Sequence, residues 1–255
     1  MKTLAKQMVR RALNLAGLEI RRYMPPQPSL MRQVLDLYEV DTIFDVGANI
    51  GQSGQQFRDA GFPFQIVSFE PVLSLFEALQ VAASKDALWH VENVALGDFA
   101  GQVQINVSGG HAGASSILEM TQNVLENAPD QQVVRKEKIE VKTLDAMMEK
   151  YYPEGDRCFL KLDVQGYERK LLKGGLGSID RIVGLKIEMS LVENYEGETL
   201  LSEMLPYLYG LGFRLVYFEN GWSNNVSREL YQVDGVFFRT GVALALPDAT
   251  LPPTA

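Results

Sequence analysis

The residues best suited to chemistry begin at Asp45, which closes the short apolar run Ile43-Phe44 and is followed by Val46. Gly47, Gly51 and Gly54 come next, at G-x-x-x-G-x-x-G spacing. Glycine lets backbone approach a ligand closely, and the helix N-terminus expected behind the turn offers free N–H groups to an anion. Strand, tight turn and helix in that order build a nucleotide-type pocket. Glu70, 23 residues past Gly47, stands where a carboxylate can take both hydroxyls of a ribose.

The turn is compatible with several ligands. A nicotinamide or flavin dinucleotide calls for the tighter G-x-G-x-x-G, so that backbone covers a pyrophosphate. S-adenosylmethionine has no phosphate; its methionyl carboxylate and ammonium need donors and acceptors from a looser turn. The spacing favours S-adenosylmethionine, with a dinucleotide and glycines serving only helix–strand packing as alternatives. Asp163 and Glu188 end two later strands that should be adjacent, so their carboxylates converge near the same pocket. They could hold a divalent cation such as Mg²⁺ that acidifies a bound hydroxyl. Alternatively, Asp163 touches the cofactor's ammonium and another residue is the base. Two carboxylates make a thin ligand set, which favours the metal-free arrangement.

His111, one of two histidines, lies in a Gly-rich loop and is the candidate general base. A lone loop histidine is more often merely solvated. His90, beside Trp89 in a strand, reads as structural. Lys161 and Glu168 are ordinary exposed or paired charges unless the surrounding LKLDVQGYE gives them a role. Tyr195, Glu196 and Trp222 could form an acceptor platform, or simply pack.

These residues need a scaffold, and the pattern supplies one. Strands are predicted near 43–45, 65–69, 88–94, 158–164 and 182–188, most of them separated by helical stretches, as right-handed βαβ units require. Helices are expected at about 30–38, around Leu73 to Val81, from an N-cap at Thr143 to about Lys150, at 167–172 and at 198–209. Residues 102–107 and 137–141 alternate polar and apolar, as half-exposed strands do. The long segment between them, Ser108 to Lys136, has the length of a lid or a disordered stretch. Strands at 213–218 and 232–238 follow with no helix between, predicting an antiparallel pair at the sheet edge.

An apolar content of 46% with 22% charged residues suits a soluble globular protein. The net charge of −8 argues against nucleic acid as a partner. It is uneven: Lys2, Lys6, Arg10, Arg11, Arg21 and Arg22 against Glu19 give residues 1–24 a charge of +5. That stretch, with Leu4, Met8, Ala12 and Leu15 at helical spacing, predicts a basic amphipathic helix that packs on the domain, on a partner subunit, or on an anionic membrane surface. Pro25, Pro26 and Pro28 end it. The single cysteine, Cys158, excludes an internal disulfide framework and a Cys-rich zinc site. With no signal peptide and no membrane-spanning run, the expected location is cytoplasmic, with peripheral contact at the inner membrane face as an option. The expected domains are therefore 1–28, an N-terminal helix and linker; 29–240, the catalytic domain; and 241–255, a frayed tail.

Taken in order, IFDVGANIGQS, SFEP, NVALGD, TLD, FLKLDVQGYE, LKGG, IEMSLVENYEGE and VDGVFF resemble the FkbM family of S-adenosylmethionine-dependent methyltransferases. The resemblance spans roughly Ile43 to Arg239. It implies an α/β class: a Rossmann-like seven-stranded class I methyltransferase sheet, mostly parallel with an antiparallel last strand and helices on both faces. It implies O-methylation of a hydroxyl on a sugar, glycan, glycolipid or natural product. Carried over by position, Asp45, Gly47, Asn49 and Gly51 would contact the methionyl part and Glu70 the ribose. Asn93 or the backbone at Ala95 would lie near adenine. Asp163, His111 and Glu188 are the catalytic candidates; Asp163 and Glu188 would be the ligands of any metal. The rivals are an NAD-dependent oxidoreductase or epimerase and a non-catalytic binding module. Oligomeric state is open, a homo-oligomer included.

Overall fold

Helix α1 (Leu30–Leu37) starts where the Ser29 side chain accepts from Arg32 N at 3.1 Å, a capping bond that satisfies one free donor of the first turn. After it come β1 (Thr42–Val46), α2 (Gln52–Asp59), β2 (Gln65–Phe69), α3 (Leu73–Ala83), β3 (Trp89–Glu92), β4 (Ala95–Gly97) and β5 (Gly101–Ser108). The second half holds α4 (Gln122–Asn127), β6 (Val133–Thr143), α5 (Leu144–Tyr151), β7 (Cys158–Leu162), α6 (Glu168–Lys173), β8 (Ile182–Ser190), α7 (Leu201–Gly210), β9 (Phe213–Glu219) and β10 (Gln232–Arg239). This computed structural model describes residues 29–110, 112–219, 221–224 and 227–245. The expected N-terminal helix and its proline linker lie outside the described residues.

The main sheet has seven strands in the order β3-β2-β1-β7-β8-β10-β9. Neighbours are parallel except around β10, which runs antiparallel to both β8 and β9. This is the sheet expected from the pattern. β1 and β7 are buried at every position, because helices cover both faces of a parallel sheet and leave no solvated side. Alternate residues of the central strands feed two cores. Ile43, Ile66 and Phe159 pack with α1, α2 and α3; Phe44, Val67 and Leu160 pack with α5, α6 and α7.

The capping residue predicted at Thr143 is observed, its hydroxyl accepting from Ala146 N at 3.2 Å. The third strand is shorter than expected. The Asn93 amide donates to Glu70 O and Pro71 O, which turns the chain out of the main sheet after Glu92. Residues 95–97 then join a second sheet, β4-β6-β5, whose other two strands are the predicted half-exposed pair. Of the expected tail, residues 246–255 lie outside the described residues; within 241–245, Ala245 N donates to Leu37 O at 2.9 Å.

Candidate functional site

The turn after β1 is set by one glycine. Gly47 has φ +73, and a Cβ there would lie 1.9 Å from the Asp163 carbonyl oxygen. No side chain fits, so the ends of β1 and β7 meet backbone to backbone. Gly54 has a different job: a Cβ would strike the Trp89 ring at 2.1 Å, so its absence lets α2 lie on β3. Packing thus explains Gly54, and Gly47 belongs to the pocket. Gly51, left-handed at φ +95, begins α2 and faces Leu79, Ala82 and Trp89 rather than the pocket.

Glu70 closes the turn from the end of β2. It is 5% exposed, its Oε2 accepts from Asn49 N at 2.8 Å, and its Oε1 accepts from Val72 N at 2.9 Å. Burial pushes its pKa up to about 7, against the downward pull of those two N–H groups and of Lys161. Each carboxylate oxygen keeps a lone pair beyond the backbone bond, enough to accept from a vicinal diol.

Beneath the turn lies Lys161, 6% exposed in the middle of the sheet. Its Nζ donates to Gly47 O at 3.0 Å and stands 3.4 Å from both Asp45 Oδ1 and Asp163 Oδ2. Burial opposes its charge, but the two carboxylates outweigh burial and raise its pKa. Asp45 is fully buried and receives the Ser68 hydroxyl at 3.2 Å, so it braces the turn from below and does not line the cavity.

The cavity above encloses about 270 Å³. Gly47, Asn49, Glu70 and Asp163 give its polar wall. Val94 and, from the second sheet, Ala95, Leu96 and Ile105 give an apolar wall, and Ala112 to Ile117 cover it. Asn93 lies outside the lining, its amide occupied by Glu70 O and Pro71 O. His111 lies outside the described residues, although its neighbour Ala112 lines the cavity. His90 is exposed on β3, its ring 5.7 Å from that of Tyr151, away from the cavity.

Asp163 and Glu188 do converge, but an amide stands between them. Gln165 Nε2 donates to Asp163 Oδ1 and to Glu188 Oε2, 2.7 Å in each case. That nitrogen fills the gap a bridging cation would need. Among the described residues, no group of three or more His, Cys, Asp or Glu is placed to hold a metal ion. Burial first, then the charges of Asp163, Glu168 and Asp234, raise Glu188 well above the usual carboxylate range.

A second cavity of about 400 Å³ adjoins the first, the two sharing Gly113 and Gln165. Trp222 and Tyr195 give it aromatic surface; Asn127, Asn194, Gln232 and Asp130 give it hydrogen-bonding groups. The Ser108–Lys136 segment builds much of it and is tied to the loop after β8, with Thr121 Oγ1 donating to Glu193 O and Asn123 Nδ2 to Asn194 Oδ1. Sequence reasoning placed Ala95 near the cofactor but missed Gln165, whose type announces no chemistry, and the rest of the second-sheet wall. Glu168 is buried rather than exposed, accepting from Val164 N and Gly166 N with its pKa pushed up to about 7 by burial.

The family model described as the methyltransferase FkbM domain matches residues 45–215. No curated protein matches the chain in sequence. Among solved structures, an rRNA methylase from Streptococcus thermophilus is similar at 14% identity over 85% of this chain and 99% of its own, with a TM-score of 0.44. TrmK from M. capricolum, bound to S-adenosylhomocysteine, shows 7% identity over 86% and 72%, with a TM-score of 0.43. The METTL16 methyltransferase domain shows 12% over 91% and 76%, with a TM-score of 0.46.

Proposed function

This chain belongs to the FkbM family of S-adenosylmethionine-dependent methyltransferases, and we propose that it transfers a methyl group to a hydroxyl of a sugar, as part of a glycan, glycolipid or glycosylated natural product. The observation that carries the acceptor class is the second cavity. An aromatic face from Trp222 beside the amides of Asn127, Asn194 and Gln232 suits a sugar ring, which presents apolar C–H faces and equatorial hydroxyls.

The first cavity fits the methyl donor by its own chemistry. Glu70 offers two oxygens with spare lone pairs for a ribose diol, and Val94, Leu96 and Ile105 offer an apolar slot for a base. The turn at Gly47 and Asn49 lies where the methionyl end would be held. Bound there, the cofactor supplies an electrophilic methyl on a sulfonium. The chain's task is then alignment and removal of one proton, because a protonated alcohol is a weak nucleophile. Asp163 faces the cavity within reach of its junction with the second one, so we assign it to receive the acceptor's proton at a carboxylate oxygen. His111 is the alternative base.

Methyl release from S-adenosylmethionine against a panel of mono- and oligosaccharides tests the reading. Turnover on a sugar is the expected result; methyl incorporation into RNA or protein with none into any sugar would overturn the acceptor class. Tight NAD binding without response to S-adenosylmethionine would overturn the cofactor. Undiminished turnover in EDTA is expected, since an amide bridges the two carboxylates.

A further inference from the structure

Gln165 lines both cavities, and every polar atom of its side chain is committed. Its two amide hydrogens go to carboxylates from different strands, Asp163 Oδ1 and Glu188 Oε2. Its Oε1 accepts from the Tyr195 hydroxyl at 2.6 Å. This orientation gives Asp163 a donor and the Tyr195 hydroxyl an acceptor, where a flipped amide would set its oxygen against the Asp163 carboxylate. The backbone is held with equal care. Gln165 has φ +54, a left-handed conformation that non-glycine residues seldom adopt and that persists where the surroundings impose it. Its carbonyl accepts from Ser116 Oγ at 2.6 Å, on the segment that covers the first cavity.

Asp163 is pulled from two sides. Lys161 Nζ stands 3.4 Å from Oδ2 on the β1 side, and Gln165 holds Oδ1 on the acceptor side. Remove the amide and, among the described residues, Lys161 is the partner left, drawing the carboxylate down onto the turn and away from the junction. We infer that Gln165 is a positioning residue that fixes the Asp163 carboxylate at the junction of the two cavities and links it to Tyr195 in the acceptor cavity. The inference rests on the methyl-transfer reading, in which Asp163 lines the cofactor cavity and receives the acceptor's proton.

The test is calorimetric titration of the full chain with S-adenosylmethionine. Gln165→Ala is expected to weaken binding about tenfold, the usual size for a lost bond to a charged group. In an Asp163→Asn background the same change should have almost no effect, because the two residues act as a unit. Relative to the wild type at the same pH, Gln165→Glu should bind poorly near pH 8 and recover toward pH 6, as the new carboxyl takes a proton and can donate again. The ionisable groups around that position are Asp163, Glu188, Lys161 and the Tyr195 hydroxyl, with Glu168, Asp234 and Glu198 acting on Glu188 or Tyr195. Equal losses in both backgrounds together with a flat pH profile would overturn the positioning role while leaving methyl transfer intact. A wild-type chain that does not bind S-adenosylmethionine would overturn both. Should Gln165→Ala fail to fold, the pH recovery of the isosteric Gln165→Glu decides alone.

Discussion

At the scale of single residues, Glu70 is the most exacting. Its two oxygens already hold backbone N–H groups of the turn, so it shapes the cavity wall even before a diol arrives. Glu70→Ala is therefore expected to cut S-adenosylmethionine affinity at least about tenfold by calorimetry, losing both direct bonds and turn geometry. Normal binding would refute the ribose assignment. A second expectation concerns pH. Glu168 has its pKa raised from 4.5 to about 7 in the folded chain, because burial outweighs two backbone N–H donors. The folded state therefore holds that proton more tightly than the unfolded state does. The stability this gives is fully present below about 4.5 and is lost as pH rises through about 7. The melting temperature of the free protein should fall across that window, and Glu168→Gln should flatten the fall; an unchanged slope would dismiss Glu168 as its source. Gly47, Glu70 and Asp163 were visible in the sequence because strand-end position and glycine spacing advertise them; the same pattern placed Asp45 at the pocket, but it lies beneath the turn. Gln165 and the buried state of Lys161 were not, since their roles arise from neighbours brought across strands rather than from local pattern.

At the scale of elements, the central strands were legible because parallel strands covered on both faces are continuous apolar runs. Thr143 was legible as a cap for the same reason of local chemistry. Thr143→Ala should cost about 1 kcal/mol of stability, which for a chain of this size lowers the melting temperature by roughly 2–4 °C. A change within error would show that packing of Leu144, Met147 and Met148 fixes α5 without the cap. The second sheet was only half legible. β5 and β6 alternate as any half-exposed strands do, and the pattern does not name their partner. β4 is three residues long, and its separation from β3 depends on a side-chain bond from Asn93 to the chain more than twenty residues earlier. That break matters to the site, because it delivers Ala95 and Leu96 to the cavity wall.

At the scale of the whole molecule, the alternation of strand and helix predicted the seven-stranded sheet, and the missing helix before the last strand predicted its antiparallel turn. Charge is distributed just as unevenly at this scale. The first 24 residues carry +5, leaving −13 for the remainder. Among the described residues no helix is long and apolar enough to cross a membrane. The basic stretch, which precedes them, is proposed to lie on anionic lipid, where each cation near the surface contributes about 1 kcal/mol. The full chain should co-sediment with phosphatidylserine vesicles and dissociate as salt rises. A chain lacking residues 1–24 should stay in solution, and sedimentation regardless of truncation would place any lipid contact elsewhere.

The two tryptophans divide the molecule between them. Trp89 is sealed against α2 at the glycine that makes room for it, and Trp222 lines the aromatic cavity. Their emission should separate by colour and by access to a soluble quencher, the blue, protected signal belonging to Trp89. A Trp89→Phe chain would then leave one optical reporter inside the second cavity, where the acceptor is proposed to bind. Mixtures of unknown sugars could be screened by quenching alone, with no methyl transferred and no product to identify.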